Sequence, residues 1–316
     1  AIAVAGDAAS SLGALSRPNW RFVGMGSSRF AALDAAVRLR AAGLDAHAET
    51  ASASLHAPGG RDTVIVAISA SGRTPEVLDA VERHHGTSFV LGLTARADSP
   101  LARYSDAVVP LAAAVVESGG VASLTYRATV AALIGLVGMG EPDETRRALV
   151  SAGPALAELI DGRGSWLTRA ADILDGARDV HVLGNGAWIG GCEQAALMLR
   201  EAPRLPAIAF DTGDWLHVGL YTLFPGDPVL LSTGSAADGE ALRTIRDRGG
   251  RAVVVGTPTS PDLKRAEGEV WIPLPETAVG NRLIRSIVES AVAELLAAEL
   301  WGRTSARLVG EAPAGD

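Results

Sequence analysis

The sequence holds one cysteine, Cys192, and one lysine, Lys264. A lone cysteine excludes an intrachain disulfide framework and any cysteine-based zinc site. Within an alanine- and leucine-rich helical stretch, Cys192 reads as a core residue. The single lysine sits in a polar loop away from every motif below, so Schiff-base chemistry through a protein amine is not expected. Basic charge is almost all arginine, and 28 basic against 36 acidic residues give a net charge of −8, which argues against a nucleic-acid surface. No apolar run approaches the roughly 20 residues of a membrane span. The N-terminal stretch has neither the basic flank nor the unbroken apolar segment of a signal peptide, so the expectation is a cytoplasmic protein with no membrane partner. His47, His56, His84, His85 and His181 show no metal-ligand spacing with acidic partners. No metal and no cofactor are expected, and His84-His85 reads as a surface pair ending a helix.

What is present is ample apolar sequence. Of 316 residues, 48% are hydrophobic, enough for two domains with their own cores. Apolar runs alternate with helical patterns in both halves, as an α/β fold with parallel sheets flanked by helices requires. In the first half the pattern predicts strands near 20–25, 44–48, 63–68, 88–93 and 106–110, and a long helix from about 121. The stretch Gly138-Met139-Gly140-Glu141-Pro142-Asp143-Glu144 has the turn residues of a connection, giving domains 1–143 and 144–316.

The strand pattern Thr63–Ile68 runs directly into Ser69-Ala70-Ser71-Gly72-Arg73-Thr74-Pro75. Ser69, Ser71 and Thr74 each offer an O–H donor, Gly72 lets the backbone come close, and Pro75 suits a first helical position. A phosphate placed there gains from the donors and from the helix dipole; the plainer alternative is a helix start with solvated hydroxyls. Upstream, Arg21-Phe22-Val23-Gly24-Met25-Gly26-Ser27-Ser28 repeats the logic. Phe30, Leu33 and Val37 follow at helical spacing and place Ser27 and Ser28 at a helix N-terminus. The second half echoes both loops at Gly184-Asn185-Gly186-Ala187-Trp188 and at Ser232-Thr233-Gly234-Ser235-Ala236-Ala237-Asp238. The serines of the first loop are lost there, and a carboxylate enters near the anion position of the second. Phosphate binding is therefore expected of the first domain alone; the plainer alternative for the second is that Ser232 and Ser235 simply cap the next helix. The late stripe Ile284, Ile287, Val288, Ala291, Val292 and Leu295 reads as core or subunit contact.

These loops resemble the sugar isomerase (SIS) domains that bind phosphosugars, whose glycine-serine loop and Ser-x-Ser-Gly-x-Thr loop they match. Gly120-Val121-Ala122-Ser123 resembles the piece that closes over the sugar in that family. The resemblance covers about residues 20 to 300 and implies two tandem SIS domains, each a flavodoxin-like three-layer sandwich. It implies Ser27, Ser28, Ser69, Ser71 and Thr74 as phosphate ligands, with Gly26, Ala70, Val121, Ala122 and Ser123 against the sugar. The segment from Cys192 to Glu201, followed by Gly213-Asp214-Trp215-Leu216-His217, is similar to the isomerase half of glucosamine-6-phosphate synthases. By motif position, Glu201 would move a proton between C2 and C1 of the open sugar and His217 would assist ring opening. A carboxylate held partly out of water at the end of an apolar helix suits that task. The bland alternatives are a solvated helix-end acid and a loop histidine packed beside Trp215.

The match has departures. Met198 stands where those synthases carry a lysine, the C-terminal tail lacks their other lysine, and no N-terminal cysteine nucleophile is present, so glutamine-dependent synthesis is not expected. Aldose-ketose isomerisation, deamination of an amino-sugar phosphate, and elimination of a C3 substituent from N-acetylglucosamine 6-phosphate all begin with C2 proton abstraction and stay open. A non-catalytic sugar-phosphate sensor is the competing class. The family further implies a homodimer with a shared active site, to which one subunit's His217 contributes.

Overall fold

A computed structural model of the chain describes residues 16–111, 123–138, 140–257 and 264–310. Val121 and Ala122 lie outside the described residues. The chain divides into two compact units, residues 1–151 and 152–316, a boundary that falls inside a helix, α5 (Pro142–Asp161).

In the first unit, strands β1 (Asn19–Gly24), β2 (Asp45–Thr50), β3 (Thr63–Ile68), β4 (Phe89–Thr94) and β5 (Ala107–Pro110) form one sheet in the order β2-β1-β3-β4-β5. Every pairing is parallel. β3 and β4 are buried along their whole length, because a parallel sheet covered on both faces needs apolar side chains at every position rather than at alternate ones. β2 and β5 are the edge strands, and the exposed Asp45 and His47 of β2 show it. Helices α1 (Ser27–Ala41) and α4 (Ser123–Val137) pack together on one face, and α2 (Pro75–His84) and α3 (Pro100–Tyr104) pack together on the other. His84, expected at the surface, is buried at the end of α2; its ring meets that of His56 edge-on at 6.5 Å, while His85 is exposed as expected.

The second unit repeats the plan. After α6 (Leu167–Leu174), strands β6 (Val180–Gly184), β7 (Ala207–Asp211), β8 (Pro228–Ser232), β9 (Arg251–Val255) and β10 (Val270–Ile272) pair in parallel in the order β7-β6-β8-β9-β10. Helix α7 (Ile189–Glu201) packs with α11 (Arg282–Gly310), which also meets α6. The short α8 (Thr212–Trp215) packs with α9 (Asp238–Asp247) on the opposite face, where Leu183, Trp215, Leu231, Leu242 and Val254 share a core. A short α10 (Glu276–Gly280) precedes α11. Strand alternation agrees with this division, since His181 and Leu183 point to the α8 side and Val182 to the α7 side.

Both sheets thus have the order second-first-third-fourth-fifth. In such a sheet the connections leaving the first and third strands diverge to opposite faces. The crevice between them, beyond the carboxyl ends of the strands, is where an open parallel sheet takes ligands.

Candidate functional site

In the first unit that crevice is bordered by the loops after β1 and β3, which are neighbouring strands with Val23 opposite Ala67. The two serine-bearing loops predicted from sequence are therefore brought side by side. After β1 the chain turns at Gly26, whose φ of 49° favours glycine, and enters α1 at Ser27. The Ser28 N–H donates to Met25 O at 3.1 Å, which closes the turn and leaves both serine side chains half-buried at the helix start.

After β3 the loop is built from its own hydroxyls. Ser69, buried, accepts from the Gly72 N–H at 3.1 Å and shares a hydrogen bond of 2.8 Å with the Thr74 hydroxyl. Whichever of the two donates, the other keeps its proton for a ligand. Ser71 is exposed and its oxygen accepts from the Arg73 N–H at 3.2 Å, so its O–H also points its donor capacity outward. Thr74 is the N-cap of α2 but does not cap through its side chain, which is engaged with Ser69, and Pro75 follows at the first helical position. Gly72 cannot be replaced without displacement: its φ is 63° and an added Cβ would overlap the Ser99 side chain. The loop is pinned from behind, where Ala70 O accepts from the Ala95 N–H at 3.0 Å and the Thr94 hydroxyl at 3.3 Å. Ser123 opens α4 and is half-buried.

The second unit has the same two loops, and its own carboxylates fill them. The Gly186 N–H donates to Asp211 Oδ2 at 2.7 Å, while Asp211 Oδ1 accepts from Gly213 and Asp214 at 2.9 and 3.1 Å. On the second loop, Asp238 Oδ2 accepts from the Gly234 and Ser235 N–H groups at 2.6 and 2.9 Å. Asp238 is fully buried; burial pushes its carboxyl upward, against the pull of those two N–H groups and of Arg285. Ser232 donates to Glu289 Oε1 at 2.9 Å, and Arg285 Nε donates to the same oxygen at 2.7 Å while also bonding Thr233 O. Burial pushes the Glu289 carboxyl upward against the same guanidinium. The sequence pointed to a carboxylate at Asp238. Asp211, Arg285 and Glu289 carried no signal, since each partner is distant in sequence or hidden within an apolar helical stripe.

Glu201 is the last residue of α7 and is exposed, so this unit alone does not give it the shelter from water that its expected role calls for. His217 lies between α8 and the 3₁₀ turn Gly219–Thr222; it too is exposed, and Trp215 packs inward without it. The elements that carry them, α7 and α8, cover opposite faces of the second sheet. Met198 is buried. Among the described residues no cluster of His, Cys, Asp and Glu is arranged to hold a metal ion, and no helix is long and apolar enough to cross a membrane.

Residues 17–137 match the SIS domain family. The chain is 30% identical over 297 residues to glutamine-fructose-6-phosphate aminotransferase (isomerizing) of Aeropyrum pernix, covering 88% of this chain and 47% of that protein. The chain thus spans less than half the length of this curated relative. Its fold matches the C-terminal domain of glucosamine-fructose-6-phosphate aminotransferase from Francisella tularensis with a TM-score of 0.82 at 16% identity, over 92% of this chain and 86% of that one. It also matches glucosamine-6-phosphate deaminase from Thermotoga maritima with a TM-score of 0.69 at 17% identity, over 95% and 91%.

Proposed function

We propose that the chain is a phosphosugar enzyme of two tandem SIS domains. In this reading the first binds the phosphate of an amino-sugar phosphate, and the second supplies Glu201 for proton transfer at C2 and C1 and His217 for ring opening. The observation that carries the reading is the contrast between equivalent loops. In the first unit the hydroxyls of Ser69, Ser71 and Thr74 and the helix start at Ser27 have no carboxylate partner among the described residues, whereas in the second unit Asp211 and Asp238 occupy the corresponding N–H groups. Glu201 ends a helix on one face of the sheet and His217 follows a helix on the other, which supports a homodimer in which His217 of one subunit completes the site of the other.

Glu201 takes the C2 proton of the open-chain sugar; returning it to C1 gives the ketose, and with a free 2-amino group the resulting imine is hydrolysed to ammonia and a ketose phosphate. The relation of the chain to glucosamine-6-phosphate chemistry in its relatives favours this course. A second reading, loss of a C3 substituent after the same proton abstraction, is supported by the buried Met198 in place of a lysine.

Proton NMR in D₂O with glucosamine 6-phosphate and, separately, N-acetylglucosamine 6-phosphate tests the proposal. Deuterium at C1 or C2 with release of ammonia identifies the deaminase, and an unsaturated product identifies elimination. Exchange should vanish in Glu201→Gln. In Ser71→Ala, affinity for the sugar phosphate should fall by about ten- to a hundredfold, the loss of one hydrogen bond to a charged group. Binding without exchange in either sugar would overturn the enzyme in favour of a sensor.

A further inference from the structure

His181 is the second residue of β6, fully buried and unused by the chemistry proposed above. Its Nδ1 lies 2.9 Å from Trp215 Nε1, and its Nε2 lies 3.3 Å from the Thr222 hydroxyl. Hydrogen-bond logic fixes its tautomer. An indole N–H can only donate, so Nδ1 must be the unprotonated acceptor. Thr222 Oγ1 donates to Gly219 O at 3.0 Å, so it accepts from Nε2–H. One imidazole therefore grips both ends of the segment from Trp215 to Thr222, and His217 sits between the two grips.

Other groups complete the clamp. Arg178 donates to Thr222 O at 3.2 Å and pairs with Asp227 at 2.9 Å. Asp179 Oδ1 is 3.7 Å from Nε2, and the Phe210 ring of β7 meets the imidazole edge-on at 5.5 Å. A protonated imidazole carries N–H on both nitrogens, which would aim one of them at the Trp215 N–H and replace an attraction with two opposed donors.

We propose that His181 is a positioning residue that fixes the 215–222 segment, and with it His217, only while its imidazole is neutral. Burial holds this histidine below its ordinary value, helped by Arg178 and opposed by Asp179 and Asp227. A group lowered in this way contributes stability that is complete above about pH 6.5 and is lost as pH falls toward the lowered value. The clamp itself stands apart from the function; its consequence for turnover rests on the role proposed for His217.

Amide hydrogen exchange of the full chain, corrected for intrinsic rates and followed between about pH 5 and about pH 8, tests the clamp. Protection of peptides covering 213–223 should fall by as much as about tenfold per pH unit below about pH 6.5, where the opened segment frees His181 to take a proton that the closed clamp refuses, while peptides from β8 stay constant. In His181→Asn, which can accept from Trp215 but does not titrate, the fall should disappear. In Trp215→Phe, which removes the opposed donor, it should shrink, and this variant decides if the asparagine variant does not fold. Flat protection in the unsubstituted protein, or an undiminished fall in either variant, overturns the proposal. Sugar C2 exchange measured over the same range should drop together with segment protection. Segment loosening with no sugar exchange at any pH would remove the role of His217 while leaving the clamp intact.

Discussion

A buried carboxylate that accepts two adjacent backbone N–H groups does chemically what a bound phosphate does, and Asp238 holds that position permanently. Its oxygen satisfies Gly234 and Ser235 at 2.6 and 2.9 Å, in the loop equivalent to the one bearing Ser71 and Gly72 in the first unit. Asp238→Ala would orphan both N–H groups at a cost of about 1–3 kcal/mol for each left unsatisfied. Inorganic phosphate entering the emptied cradle should recover part of that loss. Thermal melts with and without phosphate should therefore show a lower midpoint for the variant, and a larger phosphate-induced rise than in the unsubstituted protein. Equal phosphate shifts in the two proteins would mean that the loop is not an anion cradle at all.

At the scale of the element, the strands of the first unit were legible because buried parallel strands leave unbroken apolar runs. β3 occupies the predicted 63–68, and β1, β4 and β5 lie within a residue of expectation. β7 carried too little signal, being a five-residue edge strand whose Ile208 faces solvent. The late stripe is core as read at Ile284, Ile287, Val288, Ala291 and Val292, but it continues through Leu296 rather than Leu295, the drift of a helix with 3.6 residues per turn. Within the same helix, Arg285 and Glu289 form a buried pair that hydrophobic periodicity conceals. The serine loops were legible because their chemistry is local in sequence, whereas the filling of the second pair depends on long-range contacts such as Asp211 to Gly186. Helix α5 carries one internal contradiction, an exposed Pro154 that cannot donate to Val150 O. Pro154→Ala removes no buried packing and should restore that bond, stabilising the helix by up to about 3 kcal/mol. A higher urea midpoint would report it, and a lower one would show that the proline ring itself is held by contacts alanine cannot make.

Across the whole molecule, two sheets of identical strand order carry differently furnished loops. A chain with a net charge of −8 and one lysine cannot attract a sugar phosphate through overall charge, so attraction has to come from local donors. Among the described residues no carboxylate fills the serine loops of the first unit; in the second, Asp211 and Asp238 already neutralise the loop N–H groups and would repel an incoming anion. Calorimetric titration with glucosamine 6-phosphate should therefore give about one site per chain, whether or not subunits share their catalytic residues. Because a ligand present at about a hundred times its Kd stabilises the state it binds by about 2.7 kcal/mol, the same sugar should raise the unfolding transition of the first unit, and any smaller rise in that of the second would report contacts from Glu201 or His217. A stoichiometry near two would mean that the internal carboxylates yield to phosphate, and the division of labour between the units would have to be abandoned.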